Sequence, residues 1–119
     1  MVVDELSDVE VDRIFHALAD STRRGILARV LDTEVSVSAL ARDYPISLTA
    51  VQKHVGVLVD AGLVAKARHG REQLVSGRME QVERARGLLD AYEQVWRGRV
   101  DRMRDLLADD AKEPRGGTR

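Results

Sequence analysis

Residues 46–64, ISLTAVQKHVGVLVDAGLV, form a segment whose polarity changes along its length. The second half is apolar on nearly every side. The first half carries a set of hydrogen-bonding side chains: Ser47, Thr49, Gln52, Lys53 and His54. A helix on an ordinary protein surface separates polar from apolar residues by face. The gradient along the axis therefore indicates that one end of a helix meets a polar partner here, while the other end packs inside the protein.

The residues before this segment predict a second helix that is joined to it by a tight turn. Ser36 can cap a short helix. Pro45 ends it, because proline has no amide hydrogen to donate and disfavours helical backbone in the preceding residue. Ser47 can cap the next helix, and Gly62 stands where helices commonly end in a left-handed residue. Residues 36–62 are therefore predicted to form a helix-turn-helix, a motif that places the start of its second helix in the major groove of DNA.

The side-chain chemistry of the second helix suits double-stranded DNA. Glutamine can form two hydrogen bonds with adenine, lysine can bind guanine or phosphate, and threonine offers a hydroxyl and a methyl group. Arg68 and Arg71, with Lys66 beside them, can reach phosphate from a neighbouring hairpin. The predicted DNA-binding residues are Ser47, Leu48, Thr49, Gln52, Lys53, His54, Arg68 and Arg71. The same pattern is compatible with a helical hairpin whose exposed face is simply polar.

The remaining sequence predicts further helices and a β-hairpin. Ser7 and Glu10 have the spacing of a capping box, which starts a first helix, and Asp20 can cap a second. A turn at His69 and Gly70 separates two short extended runs, and a long run with helical spacing follows. The predicted fold is mainly α with a small β-hairpin wing. The chain is predicted to consist of an N-terminal arm (1–8), a winged helix-turn-helix domain (9–108) and a disordered tail (109–119). Within the domain, the helix-turn-helix spans 36–62, the wing 63–75 and the long helix 79–108.

Composition and charge narrow the classes of function. The 119 residues include no cysteine, which excludes a disulfide framework and a thiolate metal site. Aromatic residues make up 3%, so binding of single-stranded nucleic acid by base stacking is not expected. The net charge is −1, with acidic residues concentrated in the first twenty positions and a basic surplus in residues 36–75. The acidic N-terminus does not resemble a signal peptide and the apolar runs are short, so a cytoplasmic protein without membrane contact is expected.

Several motifs occur in the order found in the ArsR-type winged helix-turn-helix regulators. Residues 17–27, ALADSTRRGIL, resemble that family's ALADPTRRRIL signature, with Ser21 in place of the proline. Residues 47–64 resemble its recognition helix and residues 68–71 resemble its wing, and the similarity spans residues 11–107. The resemblance implies a sequence-specific transcriptional regulator, a repressor that binds a palindromic operator, with double-stranded DNA and a second copy of the chain as partners.

The resemblance also implies a homodimer, since the first and last helices form the dimer interface in that family. A helix of about thirty residues extends roughly 45 Å, which is longer than a domain of this size needs for its own core. The predicted interface residues are Val11, Ile14, Phe15, Leu18, Val82, Leu89, Tyr92, Trp96 and Met103. Arg99 interrupts the apolar seam, and Val100 beside it can compensate. The alternative is that both helices are buried within one chain.

Founding members of the family bind metals, through cysteines in the third helix or through Asp and His pairs in the fifth. Ser36 and Ser38 stand at the thiolate positions, and residues 79–107 contain no histidine. Serine hydroxyls are poor ligands for soft metals. The histidines are single residues in different predicted elements: His16, His54 and His69. No metal site, metal response or cofactor is therefore predicted, while a small-molecule effector bound between the first and fifth helices stays open.

Catalysis is not predicted. The sequence has no cysteine nucleophile, glycine-rich phosphate loop or HExxH motif, and its carboxylate pair, Asp109 and Asp110, lies in the predicted tail. The alternative function is that of a winged-helix protein-interaction module. In that case the dimer would recruit another protein, and the recognition helix would not meet DNA.

Overall fold

Helices account for most of the chain in the computed structural model, which describes residues 6–112. The elements of this part are, in order, α1 (Asp8–Leu18), α2 (Ser21–Asp32), β1 (Val35–Ser36), α3 (Val37–Asp43), α4 (Leu48–Asp60), β2 (Val64–His69), β3 (Glu72–Gly77) and α5 (Met79–Lys112). They form a winged helix-turn-helix, which confirms the predicted fold class. The chain divides into two compact units at the boundary between Ala85 and Arg86, within α5.

Four helices start at the side chains that the sequence marks as caps. Each capping oxygen accepts a hydrogen bond from the amide three residues on: Ser7 Oγ from Glu10 (3.1 Å), Asp20 Oδ2 from Arg23 (3.0 Å), Ser36 Oγ from Ala39 (3.0 Å) and Ser47 Oγ from Ala50 (3.1 Å). Glu10 completes the capping box by accepting a hydrogen bond from the Ser7 amide at 2.9 Å, and this bond is the main cause that lowers the pKa of the Glu10 carboxyl. Loss of such a cap costs about 1 kcal/mol.

A three-stranded antiparallel sheet forms the wing, in the order β1–β3–β2. In the β2–β3 hairpin His69 pairs with Glu72, so the two-residue turn consists of Gly70 and Arg71, one residue later than the predicted turn. Gly70 has a φ of 64°, which favours glycine. The hairpin also extends beyond residue 75, the predicted end of the wing. The sequence pattern does not predict β1, because this strand has two residues and exists through its pairing with the distant β3.

The first unit is built around an aliphatic core, as the low aromatic content predicts. Its largest fully buried side chains are Ile14, Ile26, Leu40, Leu58, Leu63, Val51, Val55 and Val75. Helices α1 to α4 and strand β3 each contribute at least one of them. Full burial of such a side chain contributes about 1.5–3 kcal/mol. This burial holds one side of α4 in the protein and leaves the opposite side available to a partner.

Gly62, at the end of α4, and Gly56, within it, allow the effect of the left-handed backbone at the helix end on the free energy of unfolding to be measured. Gly62 has a φ of 75° and donates its amide to Val59 O at 2.9 Å. We expect Gly62→Ala to lower the free energy of unfolding by about 1–2 kcal/mol, because an L side chain disfavours this φ. Its Cβ would also lie 3.0 Å from Gln81 Nε2. Gly56 lies within α4 with open space around its Cβ position, so Gly56→Ala should raise the free energy of unfolding by about 0.5–1 kcal/mol.

Urea denaturation followed by circular dichroism measures both free energies. An unchanged or higher free energy of unfolding for Gly62→Ala would contradict the left-handed helix end at Gly62.

The second unit, from Arg86 onward, consists of the greater part of α5, and nearly all of its described side chains are exposed. The helix continues to Lys112, so residues 109–112 are helical, whereas the sequence analysis assigns them to a disordered tail. Neither proline nor glycine occurs between Gly98 and Pro114, so nothing local ends the helix at 108.

The outer parts of the predicted arm and tail, residues 1–5 and 113–119, lie outside the described residues. Helix α1 begins at Asp8, one residue before the predicted start of the domain. Among residues 6–112, no helix combines the length and the apolar character needed to cross a bilayer.

Candidate nucleic-acid interface

Helices α3 and α4 are joined by a four-residue turn that leaves the start of α4 at the surface. Tyr44 adopts an extended conformation, and its carbonyl accepts a hydrogen bond from the Ile46 amide at 2.8 Å. Both side chains pack against the core, which anchors the turn. The exposed Ser47 then caps α4 at its positive dipole end, where a phosphate would be stabilised.

An exposed strip runs along the outer side of the first half of α4. We call it the reading strip, and its members are Ser47, Leu48, Thr49, Gln52 and Lys53. Thr49 and Lys53 lie four residues apart on the outer face of α4 with Gln52 beside them, while Ser47 and Leu48 are exposed at the start of the helix. The face opposite Thr49 carries the buried Val51, Val55 and Leu58. Leu48 is 48% exposed, so an apolar side chain here can contact a thymine methyl group. Five of the residues predicted to bind DNA are thus brought together.

His54 lies outside the reading strip. Its side chain is 22% exposed, and its Nδ1 lies 3.2 Å from Nη1 of Arg23 and 3.9 Å from Oδ2 of Asp20. Both partners stand at the start of α2. His54 is among the predicted DNA-binding residues, whereas in the structure it forms a contact between α4 and α2. We therefore remove it from the residues proposed to touch DNA.

Two arginines that the sequence analysis does not assign to the site join α2 to the end of α1. Arg23 donates from Nε to Ala17 O at 2.8 Å and from Nη2 to His16 O at 2.9 Å. Arg24 donates from Nη1 to Leu18 O at 2.7 Å. These carbonyls belong to the last turn of α1, where carbonyl groups have no amide partner within the helix. Two adjacent arginines just after a helix cap were the sequence signal for this role.

The pKa of the Asp20 carboxyl is lowered, first by the hydrogen bond from the Arg23 amide and further by the charge of the Arg23 guanidinium, against the effect of desolvation. Because the native pKa is below that of the unfolded chain, ionised Asp20 stabilises the fold above about pH 4. This contribution is lost as the pH falls through the native pKa.

The wing presents three exposed cations near its tip. Lys66 and Arg68 are two residues apart in β2 and therefore point to the same face of the sheet. Arg71 lies in the turn. Within the described part of the chain, none of the three takes part in a salt bridge. Solvated cations on a hairpin are suited to holding the phosphate backbone of a duplex.

Ser36 and Ser38, at the positions that resemble the family's metal-binding cysteines, do not lie in a cluster of metal-binding side chains among the described residues. The Ser36 hydroxyl caps α3, and Ser38 is exposed. Of the side chains in residues 6–112, no three from His, Asp or Glu are grouped closely enough to hold a metal ion.

The nine residues predicted for a dimer interface fall into two groups. Ile14 is 0% exposed, and Leu18 and Val82 pack against the core of the first unit, with Val11 also partly buried. The other group is exposed: Phe15, Leu89, Tyr92, Trp96 and Met103. Because Ile14 is enclosed by its own chain, we leave it out of the proposed interface.

Six apolar side chains of α5 follow an eleven-residue repeat, and all of them are exposed except the half-buried Val100. Leu89, Tyr92 and Trp96 recur as Val100, Met103 and Leu107, and we call these six residues the apolar stripe. Eleven residues complete about three helical turns, so the stripe lies along one face. The Arg99 guanidinium lies 5.7 Å from the centre of the Trp96 ring, a cation–π contact, while Val100 takes the place of Arg99 in the stripe.

Comparison with known proteins identifies relatives of about half of the chain. Residues 18–67 match a family model described as a helix-turn-helix domain. The HTH-type transcriptional regulator Rv2034 of Mycobacterium tuberculosis is 43% identical over 63 residues, which are 53% of this chain and 59% of that protein. The uncharacterized HTH-type transcriptional regulator YuzN of Bacillus subtilis is 39% identical over 72 residues, covering 54% of this chain and 77% of that protein. The chain thus spans less than two thirds of the Mycobacterium tuberculosis relative.

Solved structures extend the similarity to the fold. An ArsR-like transcriptional regulator from Rhodococcus sp. RHA1 superposes with a TM-score of 0.72 and 28% identity, over 82% of this chain and 92% of that chain. A second structure gives a TM-score of 0.59 and 28% identity, over 79% and 91% of the two chains. It is described as the homodimeric winged helix-turn-helix DNA-binding domain of a possible ArsR-family transcriptional regulator from Mycobacterium bovis.

Proposed function

The chain belongs to the ArsR-type winged helix-turn-helix transcriptional regulators, and from this premise we propose that it is a repressor that binds a palindromic operator as a homodimer. The observation that carries the proposal is the reading strip, an exposed set of hydrogen-bonding groups at the start of a helix whose other side is buried. A helix-turn-helix docks this part of its second helix in the major groove.

Base recognition is assigned to the middle of the reading strip. Thr49 and Gln52 are the proposed base-reading residues, since glutamine can pair with adenine through two hydrogen bonds. Ser47 and Lys53 are shared between base edges and phosphate. Arg68 and Arg71 hold the backbone from the wing, where phosphate contacts set the position of the protein without reading sequence.

A second copy of the chain is the proposed partner of the apolar stripe. Trp96 is 58% exposed and five more apolar side chains share its face, a surface that would be costly to leave in water. A two-fold axis lets the same stripe meet itself in two copies. The Mycobacterium bovis neighbour, which is described as homodimeric, supports this assignment. The exposed Phe15 of α1 is proposed to join the interface.

A two-fold dimer presents the reading strip twice, so its operator should be an imperfect palindrome. Half-site centres should lie about one helical turn, roughly 34 Å, apart or a multiple of that distance. Selection of bound fragments of genomic DNA by the purified protein tests this directly. Enriched fragments should share a palindrome, and their neighbouring genes should be transcribed less when the protein is present. Enrichment without a shared sequence would contradict the proposal.

The salt dependence of binding to random duplex DNA separates a DNA-binding protein from a protein-interaction module. Contacts with phosphate release counterions, so the logarithm of the affinity should fall linearly with the logarithm of the salt concentration. An absence of measurable binding even at low salt would favour the protein-interaction module.

Metals are proposed not to be the regulatory signal. Titration with zinc, cadmium or arsenite should leave operator affinity unchanged, because serine hydroxyls replace thiolates at positions 36 and 38. Fluorescence anisotropy with a labelled operator measures the affinity, and equilibrium dialysis measures bound metal. A stoichiometric metal ion that weakens operator binding would show that the chain has a site built from other ligands.

A further inference from the structure

Arg23 lies where three helices meet. Its backbone belongs to α2, two of its guanidinium nitrogens donate to the final carbonyls of α1, and its third nitrogen lies 3.2 Å from the His54 ring on α4. The contacts with Ala17 and His54 are partly buried, whereas the contact with His16 is exposed to solvent. The contact with His54 joins residues that are 31 positions apart in the chain.

The chemistry of the Arg23–His54 contact determines the state of the histidine ring. A guanidinium can only donate hydrogen bonds. A hydrogen bond across this 3.2 Å contact therefore needs Nδ1 as the acceptor, in the tautomer that carries its proton on Nε2. A proton on Nδ1 would face the guanidinium and break the contact.

Asp20 holds Arg23 in place and balances its charge. Its Oδ2 accepts a hydrogen bond from the Arg23 amide at 3.0 Å and lies 3.9 Å from His54 Nδ1. The carboxylate could therefore accept a hydrogen bond from Nδ1 if the guanidinium were removed. Arg23 and Asp20, both from the start of α2, thus place one cation and one anion beside His54.

We propose that Arg23 is a positioning residue for the recognition helix: its hydrogen bond to His54 sets the rotation of α4 relative to the end of α1. His54 follows Gln52 and Lys53 on the same turn of α4, so holding its ring also holds the direction in which the reading strip faces. The effect on DNA affinity rests on the proposed function. The hydrogen bond itself does not, and it can be measured without DNA.

Arg24 provides the matched control. Like Arg23 it is an α2 arginine that donates to a carbonyl at the end of α1, at 2.7 Å from Leu18 O, but α4 is not among its hydrogen-bond partners. Arg24→Ala therefore removes one tie between α1 and α2 and leaves the His54 contact intact. Arg23→Lys is a second variant that keeps the positive charge but cannot reach all three acceptors with the fork of a guanidinium.

The first experiment records the imidazole nitrogens of His54 by two-bond proton–nitrogen NMR on the DNA-free protein at pH 8. The wild type and Arg24→Ala should show Nδ1 without a proton and in a hydrogen bond. Arg23→Ala and Arg23→Lys should shift the ring toward the form protonated on Nδ1, directed at Asp20. An identical His54 signal in all four proteins would overturn the proposal, whatever the protein binds.

The second experiment is a double-mutant cycle of Arg23→Ala and His54→Ala, with operator affinity as the measured quantity. The two substitutions should be non-additive by about three- to tenfold, because each removes the same contact. Arg24→Ala and His54→Ala should be additive. Arg23→Ala should also weaken binding to the operator more than binding to random duplex, since the wing cations are unaffected. Additive effects of Arg23→Ala and His54→Ala would overturn the positioning role, and the absence of DNA binding by the wild type would count against the proposed function alone.

Discussion

Leu89→Arg is expected to convert the protein from a dimer to a monomer and to lower its affinity for the operator by roughly 10²–10⁴-fold. The substitution places a cation in the apolar stripe, where a buried charge without a partner is strongly unfavourable. Two half-sites that are bound by separate monomers lose the gain in effective concentration that a dimer provides. Leu89 is 53% exposed in the single chain, so the helix itself should still form.

Gln94→Arg is the matched control for this prediction. Gln94 is exposed and lies two residues from Trp96, which places it on the side of α5 opposite the apolar stripe. Sedimentation equilibrium gives the mass of each variant, and circular dichroism shows whether the helix content is retained. An unchanged dimer for Leu89→Arg would contradict the proposed interface, and dissociation by Gln94→Arg would assign it to another face.

The helix starts could be predicted because each depends on a few neighbouring residues. Ser7, Asp20, Ser36 and Ser47 cap the amide three positions ahead, so the sequence itself contains both partners. Strand β1 could not be predicted, because its partners in β3 are distant in sequence and two residues carry no periodicity. The end of α5 was placed too early because a run of charged residues after 108 resembles a tail, although nothing in it disfavours helix.

The exposure of Thr49, Gln52 and Lys53 could be predicted from helical spacing, while their contact with DNA stays a prediction. The family resemblance implies that His54 supports the DNA-facing helix, but its contact with Arg23 could not be predicted, since Arg23 is 31 positions away in the chain. The residues of the dimer interface were also difficult to predict from the sequence. Ile14 and Phe15 are adjacent apolar residues of one helix, yet Ile14 is fully buried and Phe15 is exposed. Apolar character indicates burial but does not say whether the same chain or a partner provides it.

Gln52→Ala is expected to lower operator affinity by about 1–3 kcal/mol and to relax the preference for one base in each half-site. The glutamine lies in the exposed strip of α4, where its amide can both donate to and accept from an adenine edge. Binding to scrambled duplex should change little, because no base is read there.

Arg71→Ala is the contrasting variant, since the wing turn should contact phosphate. It should weaken binding to operator and scrambled duplex alike and reduce the slope of log affinity against log salt by about one unit for each contact removed. The two variants should therefore differ in the property that they lose. Gln52→Ala should lose sequence preference, and Arg71→Ala should lose salt-dependent affinity.

The most direct test of DNA reading by α4 is a set of salt titrations by fluorescence anisotropy on operator and scrambled duplex, for wild type, Gln52→Ala and Arg71→Ala. The predicted result is a loss confined to the operator for Gln52→Ala and a shared loss with a smaller salt slope for Arg71→Ala. Equal weakening of both duplexes by Gln52→Ala, or unchanged binding by both variants, would contradict recognition of DNA through the start of this helix.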